Sequence, residues 1–251
     1  MEILIGFFIA LAITMTGSGA GTITAPVMMI FLGISPEIAV GTTLLFSLLV
    51  KIPVGISYTM KGQVDKKILS HMATGGIAGV IIGSYLLKSL TSNEELKSVV
   101  LGVVGVIVLF SASLNVIFML KNGNAVKLDE RLQKLIPLFT FFIGLEVGFS
   151  SAGAGVLGTL LLMYTTSLVP RQIIGTDIMF GLILSAVGGG LYLAMGNVDF
   201  YLLGKLLAGA VIGIPLGLYG ALKIPAKPLK IGLLVWIFFI GTQLIYHSLR
   251  T

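Results

Sequence analysis

Thr16-Gly17-Ser18-Gly19-Ala20-Gly21-Thr22, answered 134 residues later by Ser150-Ser151-Ala152-Gly153-Ala154-Gly155, is the stretch from which the fold can be read. The register set by the two Gly-Ala-Gly runs continues without a gap over most of the next sixty-five positions. Pro36 meets Pro170, Gly41-Thr42 meets Gly175-Thr176, Phe46 meets Phe180, and Tyr58 meets Tyr192. Gly62, Val64 and Asp65 then match Gly196, Val198 and Asp199, and Gly75, Gly79, Gly83 and Tyr85 match Gly209, Gly213, Gly217 and Tyr219. Upstream, Phe7-Phe8 pairs with Phe141-Phe142. Most shared positions are glycine, proline, threonine or aromatic, so the match exceeds a common excess of leucine and isoleucine. Duplicated membrane segments that carry a glycine break are a building plan of transporters.

The 251 residues are 56% apolar and only 10% charged, with a mean hydropathy of +1.08. That composition lies outside the soluble range and specifies an integral membrane protein. The 33 glycines fit the same class, since small residues let membrane helices approach closely. A net charge of +6 raises nucleic acid as a partner, but the basic residues are scattered over short connectors, and membrane orientation accounts for them. Without cysteine the chain has no disulfide, thiolate-bound metal or sulfur relay. The start Met1-Glu2 is acidic where a secretory leader is basic, so the first apolar stretch is expected to be a mature element.

About 20 apolar residues are needed to cross a bilayer, and six stretches meet this: 36–60, 68–87, 96–120, 170–195, 201–222 and 228–249. Two more, 3–32 and 135–167, are too long for one straight span and are interrupted by the glycine motif. Each is either one tilted, broken helix or a re-entrant hairpin of two half-helices. The polar connector 121–134 divides the chain into a first repeat, 1–120, and a second, 135–251.

Basic residues discriminate between these alternatives. Eight full spans divide them nine against six. Two re-entrant hairpins instead gather Lys61, Lys66, Lys67, Lys121, Lys127, Arg131, Lys134, Arg171, Lys223, Lys227 and Lys230 on one face, opposite Lys88, Lys97, Lys205 and Arg250. Eleven against four is the stronger positive-inside pattern, with Lys51 set aside as intramembrane. The expected fold class is therefore all-α integral membrane, each repeat being a glycine-broken hairpin plus three transmembrane helices. Three crossings per repeat invert the second copy relative to the first and put both termini outside.

Glycines and small hydroxyl residues unwind a helix and restart a half-helix whose free N–H groups and positive dipole end attract anions. Gly19, Ala20, Gly21 and Thr22 on one side, with Gly153, Ala154 and Gly155 on the other, are thus candidate substrate ligands. The competing reading is a pair of packing kinks. Thr42 and Thr176, about one and a half turns into the spans that follow, offer hydroxyl donors, against an intrahelical bond to an earlier carbonyl. Where the copies differ, Glu146 stands opposite Ala12, Asp177 opposite Thr43, and Lys51 opposite Ser185. Ionisable groups at membrane depth are costly and by default functional, which makes these three ion-coupling candidates. For Lys51 the alternative is snorkelling to the interface. His71 and His247 lie at connectors without metal-ligand spacing. No nucleophile elbow, Walker loop, paired-histidine zinc motif or haem signature occurs, so no enzyme activity, metal or cofactor is expected.

The run Thr16 to Pro26, followed by Gly33-Ile34-Ser35-Pro36-Glu37-Ile38-Ala39-Val40-Gly41-Thr42, resembles the first repeat of the TauE/SafE family of sulfite exporters and sulfonate permeases. Gly62-Gln63-Val64-Asp65, Gly196-Asn197-Val198-Asp199 and the glycines of the third span extend the resemblance over essentially the whole chain. It implies a multi-pass carrier of the prokaryotic plasma membrane that moves sulfite, thiosulfate or small organosulfonates, often by export coupled to an ion gradient. Lys51, Glu146 and Asp177 belong to no family motif that carries over. The expectation is a secondary transporter exporting a small sulfur oxyanion, sulfite first, by alternating access, with protons as the coupling ion. An organosulfonate or other small organic anion carrier is the alternative within that class, and an anion channel is the alternative outside it.

Overall fold

The computed structural model describes residues 2–16, 21–120, 130–152, 155, 157–223 and 226–249. Among these, ten α-helices and one short 3-10 helix carry the chain, and no strand occurs. α1 (Glu2–Thr16) and α2 (Gly21–Phe31) flank the first glycine motif, and α3 (Pro36–Met60), α4 (Lys66–Thr91) and α5 (Glu94–Leu120) follow. The 3-10 helix Glu130–Leu135 precedes α6 (Ile136–Ser150) and α7 (Leu157–Thr165), which flank the second motif. Then come α8 (Pro170–Ala194), α9 (Phe200–Lys223) and α10 (Ala226–Ser248). Of the connector 121–134, the part from Glu130 onward is described.

Five helices, α3, α4, α5, α8 and α9, are long and apolar enough to cross a membrane, and α10 has 23 residues. These six occupy the six stretches expected from hydropathy. Large apolar side chains such as Phe8, Val106, Phe142, Val211 and Val235 are more than half exposed, as lipid-facing positions are. α1 and α6 have 15 residues each, about 22 Å of helix. That is short of a hydrocarbon core of about 30 Å.

The helix ends follow from local chemistry that recurs at the 134-residue offset. Pro36 and Pro170 open α3 and α8 at a position where no backbone donor is needed. Gly62 (φ 63°) and Gly196 (φ 74°) close them in the left-handed region that favours glycine. In both turns the chain folds back the same way: the Gln63 N–H donates to the Tyr58 carbonyl and the Asn197 N–H to the Tyr192 carbonyl. Asp65 and Asp199 then start the next helices. Their Oδ1 atoms accept from the Ile68 and Leu202 N–H groups, each at 2.9 Å, caps of about 1 kcal/mol each.

Packing obeys the same offset. On α4, a Cβ at Gly75, Gly79 or Gly83 would strike the backbone of α6 at Pro137, Phe141 and Leu145. On α9, a Cβ at Gly209 or Gly213 would strike the backbone of α1 at Ile3 and Phe7, and one at Gly217 would meet the Thr14 hydroxyl and, beyond it, the Leu11 carbonyl. Both pairs run parallel, with glycines every fourth residue giving backbone-to-backbone contact. α3 and α8 cross antiparallel instead: Gly41 lies against Tyr192, Gly189 against Leu45, Gly55 against Met179 and Gly175 against Tyr58. Phe46 and Phe180 are fully buried beside that crossing. α5 and α10 are antiparallel as well, with Gly102 at Ser248, Gly105 at Ile245 and Gly241 at Leu109.

Candidate functional site

The second glycine motif is set by the end of α6. Ser151 is left-handed (φ 63°), the one non-glycine residue with positive φ among the described residues, and its N–H closes the helix on the Val147 carbonyl. A side chain in that region costs about 1–2 kcal/mol. The Ala152 N–H turns back to the Ser150 hydroxyl at 3.2 Å. Serines at 150 and 151 therefore stop the helix, and α7 restarts at Leu157, where the first-turn N–H groups have no acceptor within the helix itself. After the first motif the chain is helical again from Gly21, the opening residue of α2.

Among the described residues a hydrogen bond joins the two. Buried Thr22, in the first turn of α2, donates its hydroxyl to the Ala152 carbonyl at 2.9 Å, across 130 residues of chain. Gly155 is half-buried, and its carbonyl lies 3.1 Å from the Thr159 hydroxyl. Gly19, Ala20, Gly153 and Ala154 lie outside the described residues.

Thr42 and Thr176 are fully buried and lie at the bundle ends. Each hydroxyl oxygen accepts a backbone N–H from the opposite half: Thr42 from Asp199 and Thr176 from Asp65, both at 3.0 Å. These bonds hold the turns before α9 and α4. Sequence patterning gives no sign of them, although the offset match of Asp65 with Asp199 marks both turns as equivalent.

The three ionisable exceptions separate. Glu146 sits one turn before the end of α6, and its Oε1 accepts the Ser111 hydroxyl of α5 at 2.7 Å. Asp177, 5% exposed, faces the start of α7: its Oδ2 accepts the Thr159 hydroxyl at 2.7 Å, and its Oδ1 lies against Gly158. That Oδ1 is buried without a hydrogen-bond partner. Half-buried Lys51 of α3 lies within electrostatic reach of Asp177 but is not paired with it. Ser111 and Thr159, the partners of the two acids, carry no pattern that marks them in the sequence. Among the described residues no group of three or more metal-ligating side chains occurs.

Three relatives, all from Bacillus subtilis (strain 168), match this chain. "Probable membrane transporter protein YjnA" is 28% identical over 250 residues, covering 97% of this chain and 98% of the relative. "Probable membrane transporter protein YunE" is 25% identical, covering 94% and 93%, and "Probable membrane transporter protein YtnM" is 25% identical, covering 87% and 72%. No solved structure matches. The family model described as "Sulfite exporter TauE/SafE" matches residues 2–244, so the chain belongs to the TauE/SafE family.

Proposed function

We propose that this chain is a secondary transporter that moves a small sulfur oxyanion, sulfite first, out across the plasma membrane by alternating access. The observation that carries the reading is the Thr22 to Ala152 hydrogen bond. It ties the start of α2 to the break from which the chain restarts as α7, and the positive dipole ends of such helix starts attract the same negative charge. Gly19 to Thr22 and Gly153 to Gly155 form the anion cradle in this reading, which needs no buried cationic side chain. Thr42 and Thr176 brace the helices that follow, and Glu146, Asp177 and Lys51 are the groups available for ion coupling.

The two halves are inverted repeats on this reading, each with a re-entrant hairpin. Support comes from α3 and α8, which correspond at the 134-residue offset yet pack antiparallel; copies of like orientation would run the same way. Support for the hairpins comes from α1 and α2. Glu2 at the start of α1 pairs with Lys205 in the second turn of α9 at 3.3 Å. α2 leads back to the start of α3, where Thr42 meets the turn before α9. The chain thus leaves and returns to one face, and the second hairpin, by the same contacts with α4 and α8, uses the other. Broken hairpins entering from opposite faces and meeting inside are an architecture suited to alternating access.

A thermal-shift screen of the purified protein with sulfite, thiosulfate and short sulfonates tests the substrate, because specific binding raises apparent stability by mass action. A sulfite-dependent rise, with saturable sulfite exchange in proteoliposomes, is expected. Unitary anion conductance in a planar bilayer overturns the carrier in favour of a channel.

A further inference from the structure

We propose that Asp177 is the proton site of this transporter and that Lys51 is the counter-charge that takes the proton's place when it leaves. The inference rests on the carrier reading above and goes further by choosing one acid of three, one ion, and one partner.

The geometry singles out Asp177. Its Oδ2 is satisfied by Thr159, while its Oδ1 is buried against Gly158 and accepts no hydrogen bond from the described residues. A buried carboxylate oxygen that lacks a donor is expensive as an anion and much less so as a neutral acid. Glu146 has no oxygen that is both buried and unpartnered, and Glu37, whose Oε2 is, lies in the first turn of α3 rather than along its crossing with α8. The groups that face Asp177 can be followed helix by helix. α7 brings Gly158 and the Thr159 hydroxyl. α4 meets α8 through Gly76 against Phe180 and Leu184, and Val80 against Gly188. From α6 the contact is the Gly148 carbonyl, which accepts the Tyr192 hydroxyl at 2.7 Å. α3 contributes Lys51, one turn before Gly55, which packs on Met179 two residues beyond Asp177.

Asymmetry between the halves points the same way. At the 134-residue offset Asp177 corresponds to Thr43, Lys51 to Ser185 and Gly158 to Thr24. Both charges are therefore additions to a paired framework, and they lie on α3 and α8, the helices that cross at its centre. Where the framework is common to the two halves it cradles the anion; where it departs, it supplies one coupling site per chain.

The step is balanced by charge. With Lys51 unpaired, as in this structure, Asp177 carries the proton as a neutral carboxyl. A shift of α3 against α8 that brings the ammonium onto Oδ1 stabilises the carboxylate, and the O–H bond breaks with release of H⁺ to the face open to water. Parting the pair makes the carboxylate bind a proton again. One proton is thereby exchanged in each cycle, and the carboxylate never stands at membrane depth without the ammonium beside it.

The test is infrared difference spectroscopy of the full chain in nanodiscs during a pH titration, together with sulfite flux in proteoliposomes under an imposed pH gradient. Wild type is expected to show the carbonyl stretch of a buried carboxylic acid, which is lost as pH rises. Asp177→Asn should remove that band and make net flux indifferent to the pH gradient. Lys51→Met should keep the band to a proton concentration about tenfold lower, since the ionised form loses its partner. Asp177→Thr, which copies the first half, provides a second variant should the amide fold poorly. A band unchanged in both Asp177 variants overturns the proposal, as does flux that still follows the pH gradient, or flux that follows a Na⁺ gradient and is lost in Asp177→Asn. The band without any sulfite flux in wild type would uphold the proton site and overturn the substrate.

Discussion

Thr22 and Ala152, on opposite halves of the chain, are joined by a 2.9 Å hydrogen bond that ties the first turn of α2 to the break after α6. The acceptor is a carbonyl in a non-helical stretch, and Ala152 is only 3% exposed, so a water replacement has little room. Thr22→Val keeps the shape and removes the donor, leaving a buried carbonyl unsatisfied at a cost of ~1–3 kcal/mol. The expected outcome is a lower melting temperature in detergent and loss of the sulfite-induced shift, both restored by Thr22→Ser. A Thr22→Val protein that keeps its sulfite shift would separate this bond from the cradle.

The glycines that set helix spacing are sharply divided from those that do not. A Cβ on Gly79 or Gly213 meets backbone atoms of α6 or α1, which cannot rotate away. Gly190, in the next-to-last turn of α8, has nothing within 4 Å of its Cβ position. Gly79→Val and Gly213→Val are therefore expected to cost at least the ~1–3 kcal/mol of an overpacked core. Gly190→Ala should instead add up to ~1 kcal/mol from helix propensity. Reversible unfolding in mixed micelles measures all three.

Much of this arrangement is legible in the sequence, for identifiable reasons. Long apolar runs bounded by Ser35-Pro36, Gly62 and Asp65, and again by Pro170, Gly196 and Asp199, carry their own start and stop chemistry, so α3, α4, α8 and α9 were predictable within a few residues. The breaks were legible because small residues interrupt a run too long for one span. Partners were not. Thr42 and Thr176 read as potential ligand donors or intrahelical bonders, whereas their oxygens accept N–H groups 157 and 111 residues away. Likewise Lys51, Glu146 and Asp177 read as one set of exceptions, yet Glu146 turns to α5 and Asp177 to α7. Periodicity and composition report which face a residue occupies, and contain no term for which distant backbone group arrives there.

Those reciprocal bonds give a third prediction. Asp65 and Asp199 each cap a helix with the carboxylate while donating a backbone N–H to a threonine of the other half. Asp65→Ala and Asp199→Ala are each expected to lose ~0.5–2 kcal/mol of stability, the usual value of a cap. Thr42→Val and Thr176→Val leave the same part-buried N–H groups without their acceptor, and should each cost up to ~1–3 kcal/mol. Chemical unfolding of the four variants measures this, and near-equal losses within each pair follow if the two turns are equivalent. A loss confined to one half would show that the matched geometry hides unequal packing.

Inversion of the halves makes the sharpest demand on topology. Lys66 and Phe200 are the first residues of α4 and α9, are separated by the 134-residue offset, and are both exposed. With inverted copies they face opposite sides of the membrane, and the clustering of basic residues assigns Lys66 to the cytoplasm. The chain has no cysteine, so Lys66→Cys and Phe200→Cys each introduce a lone thiol without background. In right-side-out vesicles a membrane-impermeant maleimide should label Phe200→Cys at once and Lys66→Cys only after permeabilisation. Labelling of both from the outside would put the two turns on one face. The antiparallel crossing of α3 and α8 could then not lie along the membrane normal, and the re-entrant hairpins would have to give way to full spans.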